Sequence, residues 1–182
     1  MKCCMEVIKI DTYDVGPADC FFFDTNVWLY IFAPIGNNSK KLQQKYTALY
    51  KDILSRGAKL QVNSLVIAEY INVVLRMAFQ QWKREDYNRI NADFKRDYRP
   101  TQHYIEALSD ARDQVNLILS NSTRFPDNFH NIDIDSITNR MSEYCDYNDS
   151  CLIQFCEQSG AKLVSHDQDF THLDSRIKLI TA

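Results

Sequence analysis

Glycine and proline are scarce in this chain, four of each among 182 residues. So low a content excludes long disordered linkers and collagen-like or low-complexity organisation. No apolar run is long and pure enough to span a bilayer. The richest, from Cys20 to Pro34, is broken by Asp24 and Asn26. The leading residues, MKCCMEVIKIDTYD, are too charged for the apolar core of a secretion signal, so a cytoplasmic protein with no membrane partner is expected. The six cysteines include no CxxC pair, and no Cys/His set has zinc-ligand spacing. They are expected as reduced thiols, with Cys151 and Cys156 as small core residues of one helix. A net charge of −3 argues against a surface coated in phosphate-binding residues.

What the chain does have is enough apolar content, 45%, to build a core, and a length that fits one domain with an insertion. Residues 1–19 read as an N-terminal extension in which VIKI could add an edge strand. CFFFDT reads as a buried strand, because a short aromatic-rich run suits the centre of a parallel sheet. NVWLYIFA is a short helix stopped by Pro34, and Ser39 is placed to cap a helix running to about Arg56, with Gly57 as its C-cap. KLQVN is a second strand. Ser64 would cap the long apolar helix SLVIAEYINVVLRMAFQQW, expected to be mostly buried. Residues 83–121 read as further helices separated near Pro100, and TRFPDNFHNIDI as loop plus a short strand. A helix in DSITNRMSEY would be capped by Asp135 or Ser136. Asn148 or Asp149 opens another helix ended by Gly160, and KLVSHD and RIKLIT supply the last strands. Strands alternating with helices predict an α/β fold, a parallel sheet with helices on both faces.

Five acids interrupt this pattern at element ends: Asp24 in FFFDTN, Glu69 in SLVIAEY, Asp149 in DYNDSC, and Asp167 and Asp169 in LVSHDQDF. A carboxylate at the edge of a core is costly unless neutralised. Ligands of open α/β sheets bind beyond the carboxyl ends of the strands, which is where Asp24 and Asp167 fall. Asp149 lies in a first helical turn, and a side chain at Glu69 points back toward the start of its helix. Each acid has an ordinary explanation alone: Asp149 as a cap, Asp24 as a turn former, Asp169 as a loop acid. Together they point to a divalent cation, Mg²⁺ or Mn²⁺ rather than zinc, and to chemistry on phosphate esters. Setting the five acids aside leaves lysine and arginine in slight excess, which permits a local nucleic-acid groove.

One stretch mixes bases with rings. In WKREDYNRINADFKRDYRP, Lys83, Arg84, Arg89, Lys95, Arg96 and Arg99 alternate with Trp82, Tyr87, Phe94 and Tyr98. Bases could hold phosphates and an exposed ring could stack on a base. The spacing of Tyr87, Asn91, Phe94 and Tyr98, with nearly balancing acids, favours an amphipathic helix with a solvated face. His166, beside Asp167, invites a general-base role but is read as facing away from the acids.

DTN at Asp24–Asn26, SLVIAE ending at Glu69, DSCLI starting at Asp149 and LVSHDQDF at Leu163–Phe170 together resemble the PIN-domain family of metal-dependent nucleases. The resemblance implies a three-layer α/β/α domain over 20–182 with a central parallel sheet, lengthened by a helical insertion at about 83–121. It implies that Asp24, Glu69, Asp149 and Asp167 hold Mg²⁺ or Mn²⁺ and carry catalysis, with Asp169 as a further metal-binding acid. Asn26 and Ser165 would orient those carboxylates. The implied activity is endoribonuclease hydrolysis to 5′-phosphate and 3′-hydroxyl ends, as in a VapC-like toxin of a toxin–antitoxin pair. The partners would be an RNA, with tRNA or rRNA among the candidates, a cognate antitoxin protein, and a second copy of the chain in a homodimer. A free-standing RNA-processing nuclease is the alternative. A haloacid-dehalogenase-like phosphatase would need an acid where Asn26 stands, and the intact acids speak against an inactive scaffold.

Overall fold

The computed structural model describes residues 5–33, 40–127 and 129–182. Expectations about Cys3, Cys4, Pro34 and Ser39 fall outside them. Six strands, β1 (Glu6–Lys9), β2 (Cys20–Phe23), β3 (Lys59–Val62), β4 (Thr123–Arg124), β5 (Lys162–Val164) and β6 (Lys178–Thr181), form one sheet in the order β1-β6-β5-β2-β3-β4. Every pairing is parallel. The leading strand, β1, lies at an edge with Glu6 opposite Lys178, so part of the 1–19 segment belongs to the sheet.

The helices are α1 (Thr25–Phe32), α2 (Lys40–Ser55), α3 (Ser64–Arg84), α4 (Gln102–Ser120), α5 (Ile134–Arg140) and α6 (Tyr147–Ser159). Residue alternation along β2 sorts them onto the two faces. Phe22 meets Phe155 of α6 at 6.4 Å, whereas the next residue, Phe23, meets Trp28 of α1 at 5.0 Å and Tyr50 of α2 at 6.4 Å. All three phenylalanines of β2 are fully buried, each contributing about 1.5–3 kcal/mol of transfer free energy. Right-handed crossovers put α3 and α4 on the α1 and α2 side and α5 with α6 on the other. Three layers result, and the strands' carboxyl ends share one edge.

Helix starts differ from the sequence reading. Asn63, not Ser64, caps α3 by accepting from Val66 N at 3.1 Å. Asp133 caps α5, and Asp146 caps α6 by accepting from Asp149 N at 2.9 Å. Gly57 and Gly160 do end α2 and α6, with φ of 69° and 68° that side chains resist. Only a stripe of α3 is buried: Val66, Tyr70, Leu75, Phe79 and Trp82.

The segment 85–100 is not one amphipathic helix. A 3₁₀ turn at Tyr87–Arg89 and a π-helical turn at Phe94–Tyr98 occupy it. The side chains of Asp86 and Asp93 accept from backbone N–H groups two and three residues on, which favours turns over a continuous helix. Trp82, Tyr98 and Phe79 build a small core of their own between the ends of α3 and α4. The rings sought as base platforms are mostly spent there, and only Tyr87, 85% exposed, remains free. The bases are partly spent as well. Arg89 lies over Trp82 at 4.4 Å, Arg99 over Phe94 at 5.6 Å and Lys83 over Phe79 at 5.5 Å, and Arg96 pairs with Asp97 at 2.8 Å. Among the described residues Arg84 and Lys95 make no ion pair.

Candidate active site

The sheet itself places Asp24. Its backbone N–H donates to Val164 O at 3.0 Å, extending the β2–β5 ladder past both strands. Ser165 N–H donates to Ile180 O at 3.1 Å, so the first residue beyond β5 is fixed as well. Asp24 then caps α1, Oδ1 accepting from Thr25 N at 2.6 Å. Its other oxygen, Oδ2, accepts from the Ser165 hydroxyl at 2.7 Å and from Asn26 Nδ2.

Ser165 and Asn26 tie this carboxylate to the next acidic segment. The fully buried Ser165 Oγ also accepts from Asp167 N at 3.0 Å and from Asn26 Nδ2 at 3.0 Å. Asn26 Oδ1 accepts from His166 N at 3.1 Å. Asp167 Oδ1 accepts from Asp169 N at 2.9 Å, closing a turn that leaves both acids exposed. One seryl hydroxyl and one amide therefore set the orientation of Asp24 and the path of the Asp167 turn together.

Glu69 and Asp149 come from opposite layers. Both line, with Asp24, Asn63 and Asn148, a cleft of about 10 Å³, room for about one water or ion. Asp149 completes a capping box: its Oδ2 accepts from Asp146 N at 3.0 Å while Asp146 caps it in return. Asp146 thus belongs to the site, a residue sequence reasoning missed. The signal was the three-residue spacing of Asp146 and Asp149 at a helix start. Asn63 is the second omission. Among the described residues its buried Nδ2 has no partner, and neither has Thr25 Oγ1, close enough to Glu69 to favour that carboxylate's charged form without an ordinary hydrogen bond.

The electrostatics record what the crowding costs. Burial raises the Asp24 carboxyl to about 7, with Glu69 and Asp149 adding to the rise against the Ser165 and Thr25 hydrogen bonds. Asp149 is raised to about 6 by burial, then by Asp146 and Asp167. Glu69 is raised by burial and by Asp146. Among the described residues no lysine or arginine forms an ion pair with Asp24, Glu69, Asp149, Asp167 or Asp169.

The acids therefore lie at one edge, uncompensated, with oxygen donors that suit a hard divalent cation. Among the described residues no three such side chains already stand close enough to hold an ion. The hydrogen bonds explain the spread: Asp24, Asp149 and Asp167 each hold a local N–H donor, and like charges keep apart. The residues fit a cation by chemistry and by uncompensated charge, and they would have to close around it.

The histidine beside Asp167 takes no part in the cleft. His166 Nδ1 lies 3.3 Å from the hydroxyl of the buried Tyr46, and its ring packs edge-on to Tyr30. His103 is held by Tyr98 Oη at 2.9 Å, and His172 stacks on Tyr144 at 4.6 Å. Two roomier grooves, of 680 and 770 Å³, lie elsewhere: one at the start of β5 and β6, the other between α3 and α4. Cys145, Cys151 and Cys156 are buried free thiols, and Cys20 a half-buried one.

The architecture is a three-layer α/β/α fold whose parallel sheet carries acids from four elements along its carboxyl edge. The model of the PIN domain family matches residues 21–175, and the protein belongs to that family, whose members are generally nucleases. A solved structure with this fold is VapBC2 from Rickettsia felis bound to a DNA fragment from their promoter. It superposes with a TM-score of 0.51 at 12% identity, covering 88% of this chain and 96% of that one. No curated protein sequence gives a significant match. Among the described residues no helix is long and apolar enough to cross a membrane.

Proposed function

We propose that this PIN-domain protein is a divalent-metal-dependent endoribonuclease that hydrolyses RNA phosphodiester bonds to 5′-phosphate and 3′-hydroxyl ends. The observation that carries the reading is the gathering of Asp24, Glu69 and Asp149 around one ion-sized cleft, with Asp167 near enough to raise Asp149. No basic partner among the described residues neutralises them.

Asp24, Glu69, Asp149 and Asp167 would hold Mg²⁺ or Mn²⁺, with Asp169 at the rim. Bound there, the cation would neutralise the phosphate and make water acidic enough to give up a proton near neutral pH. The chain's own contribution is positional. Ser165 and Asn26 aim Asp24, Asp146 fixes Asp149 through the capping box, and Asn63 lines the cleft with an Nδ2 that finds no partner among the described residues. His166 is turned toward Tyr30 and Tyr46, so proton removal does not fall to it.

The toxin reading, with a cognate antitoxin, draws support from the VapBC2 likeness, while a free-standing RNA-processing role would keep the same chemistry. Family membership displaces the haloacid-dehalogenase alternative. Asp24→Asn, Asp149→Asn and Asp167→Asn should each remove most Mn²⁺-dependent cleavage of single-stranded RNA. Full activity in any two of them would refute the site.

A further inference from the structure

Three rings stand directly beside the acids, and the chemistry above does not use them. Tyr30 lies one helical turn after Asn26 on α1, so the two share a face of that helix. Its ring stacks on Tyr46 of α2 at 5.5 Å with 18° between the planes. The His166 ring meets Tyr30 edge-on at 5.5 Å and 89°, and Tyr46 at 6.1 Å and 78°.

The cluster is buried at Tyr46 and partly exposed at Tyr30 and His166. Tyr46 is fully buried, and its hydroxyl is held by Ser165 O at 3.4 Å and by Ala182 N at 3.3 Å. Tyr30 and His166 are only partly covered. Tyr30 Oη makes no hydrogen bond among the described residues. The cluster is also registered to the acids: Asn26 bonds Asp24 through Nδ2 and His166 N through Oδ1.

We propose that the corner formed by Tyr30 and His166, whose planes stand 89° apart, offers one ring face as a stacking shelf for the base next to the cleaved phosphate, a role that rests on the nuclease reading above. A ring held rigid by a buried partner loses little conformational freedom on binding. Stacking on a π-face accepts any base, so the shelf would confer a preference for unpaired nucleotides rather than for a sequence. A base inside a duplex is already stacked and cannot reach it. The shelf therefore supplies discrimination against duplex RNA at the site itself. The hairpin between α3 and α4 does not supply it, since most of its rings are enclosed in their own core.

The test uses the full chain with single-stranded RNA carrying 5-iodouridine along its length. In the cleavage-defective Asp149→Asn protein with Mn²⁺, ultraviolet crosslinks mapped by mass spectrometry should fall on Tyr30 or His166. In steady-state assays, Tyr30→Leu should raise KM about tenfold, more than it lowers kcat, and Tyr30→Phe should restore KM because it keeps the ring. Melting temperatures of the variants are measured alongside, and His166→Ala supplies the second probe should Tyr30→Leu fail to fold. Crosslinks confined to the α3–α4 hairpin, or an unchanged KM in both Tyr30→Leu and His166→Ala, would overturn the shelf while leaving the nuclease reading intact. A wild-type protein that neither binds nor cleaves any RNA would overturn both.

Discussion

Asp24→Asn should make the metal-free protein more stable in mild alkali and less stable in acid. The Asp24 carboxyl is raised from an ordinary 3.8 to about 7, chiefly by burial. Between those values the folded state keeps a proton that the unfolded state has released, so stability falls as pH rises through the window and the loss is complete above about pH 7. Three pH units correspond to about 4 kcal/mol. Asparagine cannot ionise and escapes that cost. It gives some back, because the carboxylate accepts through both oxygens, from Thr25 N at Oδ1 and from Ser165 and Asn26 at Oδ2, and an amide keeps only one of them as an acceptor, a loss of about 1–3 kcal/mol. The net is a gain of about 1–3 kcal/mol near pH 8, or several degrees in Tm for a domain of this size. Near pH 4 the ionisation cost is gone and the variant should melt lower than wild type. Circular-dichroism melts in EDTA across this range read the crossover. A variant shifted by the same amount and in the same direction at both ends would rule out ionisation of Asp24 as the source of the difference.

Three further outcomes follow from the same geometry. Saturating Mn²⁺ at about a hundredfold its Kd should stabilise wild type by about 2.7 kcal/mol, and Asp24→Asn and Asp149→Asn should lose most of that response in the same melts. Ser165→Ala removes the hydroxyl that joins Asp24 to the Asp167 turn, so kcat/KM for RNA should fall about ten- to a hundredfold. Arg84→Glu with Lys95→Glu should flatten the salt dependence of RNA binding if the hairpin touches phosphate, whereas Arg96→Glu, already paired with Asp97, should change it less.

The strands were legible as apolar runs, and three of the acids because each stands out against one. Asp24 ends an aromatic run, Asp167 follows LVS, and Glu69 has only apolar neighbours to excuse it. Topology alone then brings strand ends to one edge. Helix starts were less legible. Asn63 and Ser64 cap equally well, and only the register of α3 chooses between them. Asp146 was hidden for a similar reason, since Asp149 already accounted for the start of α6. The 82–98 segment misled because its helical spacing is real, while Asp86 and Asp93 break the helix locally and the rings pack inward instead of outward. The spread of the carboxylates was not readable at all, because it depends on which backbone donors each one finds.

In the proposed mechanism the carboxylates, and no histidine, run the chemistry through a divalent cation. End-group analysis of RNA cleaved with Mn²⁺ and with EDTA tests it most directly. Expected are 5′-phosphate and 3′-hydroxyl ends with Mn²⁺, no cleavage in EDTA, and the same ends from His166→Ala. Cleavage that persists in EDTA, or products ending in 2′,3′-cyclic phosphate, would contradict it.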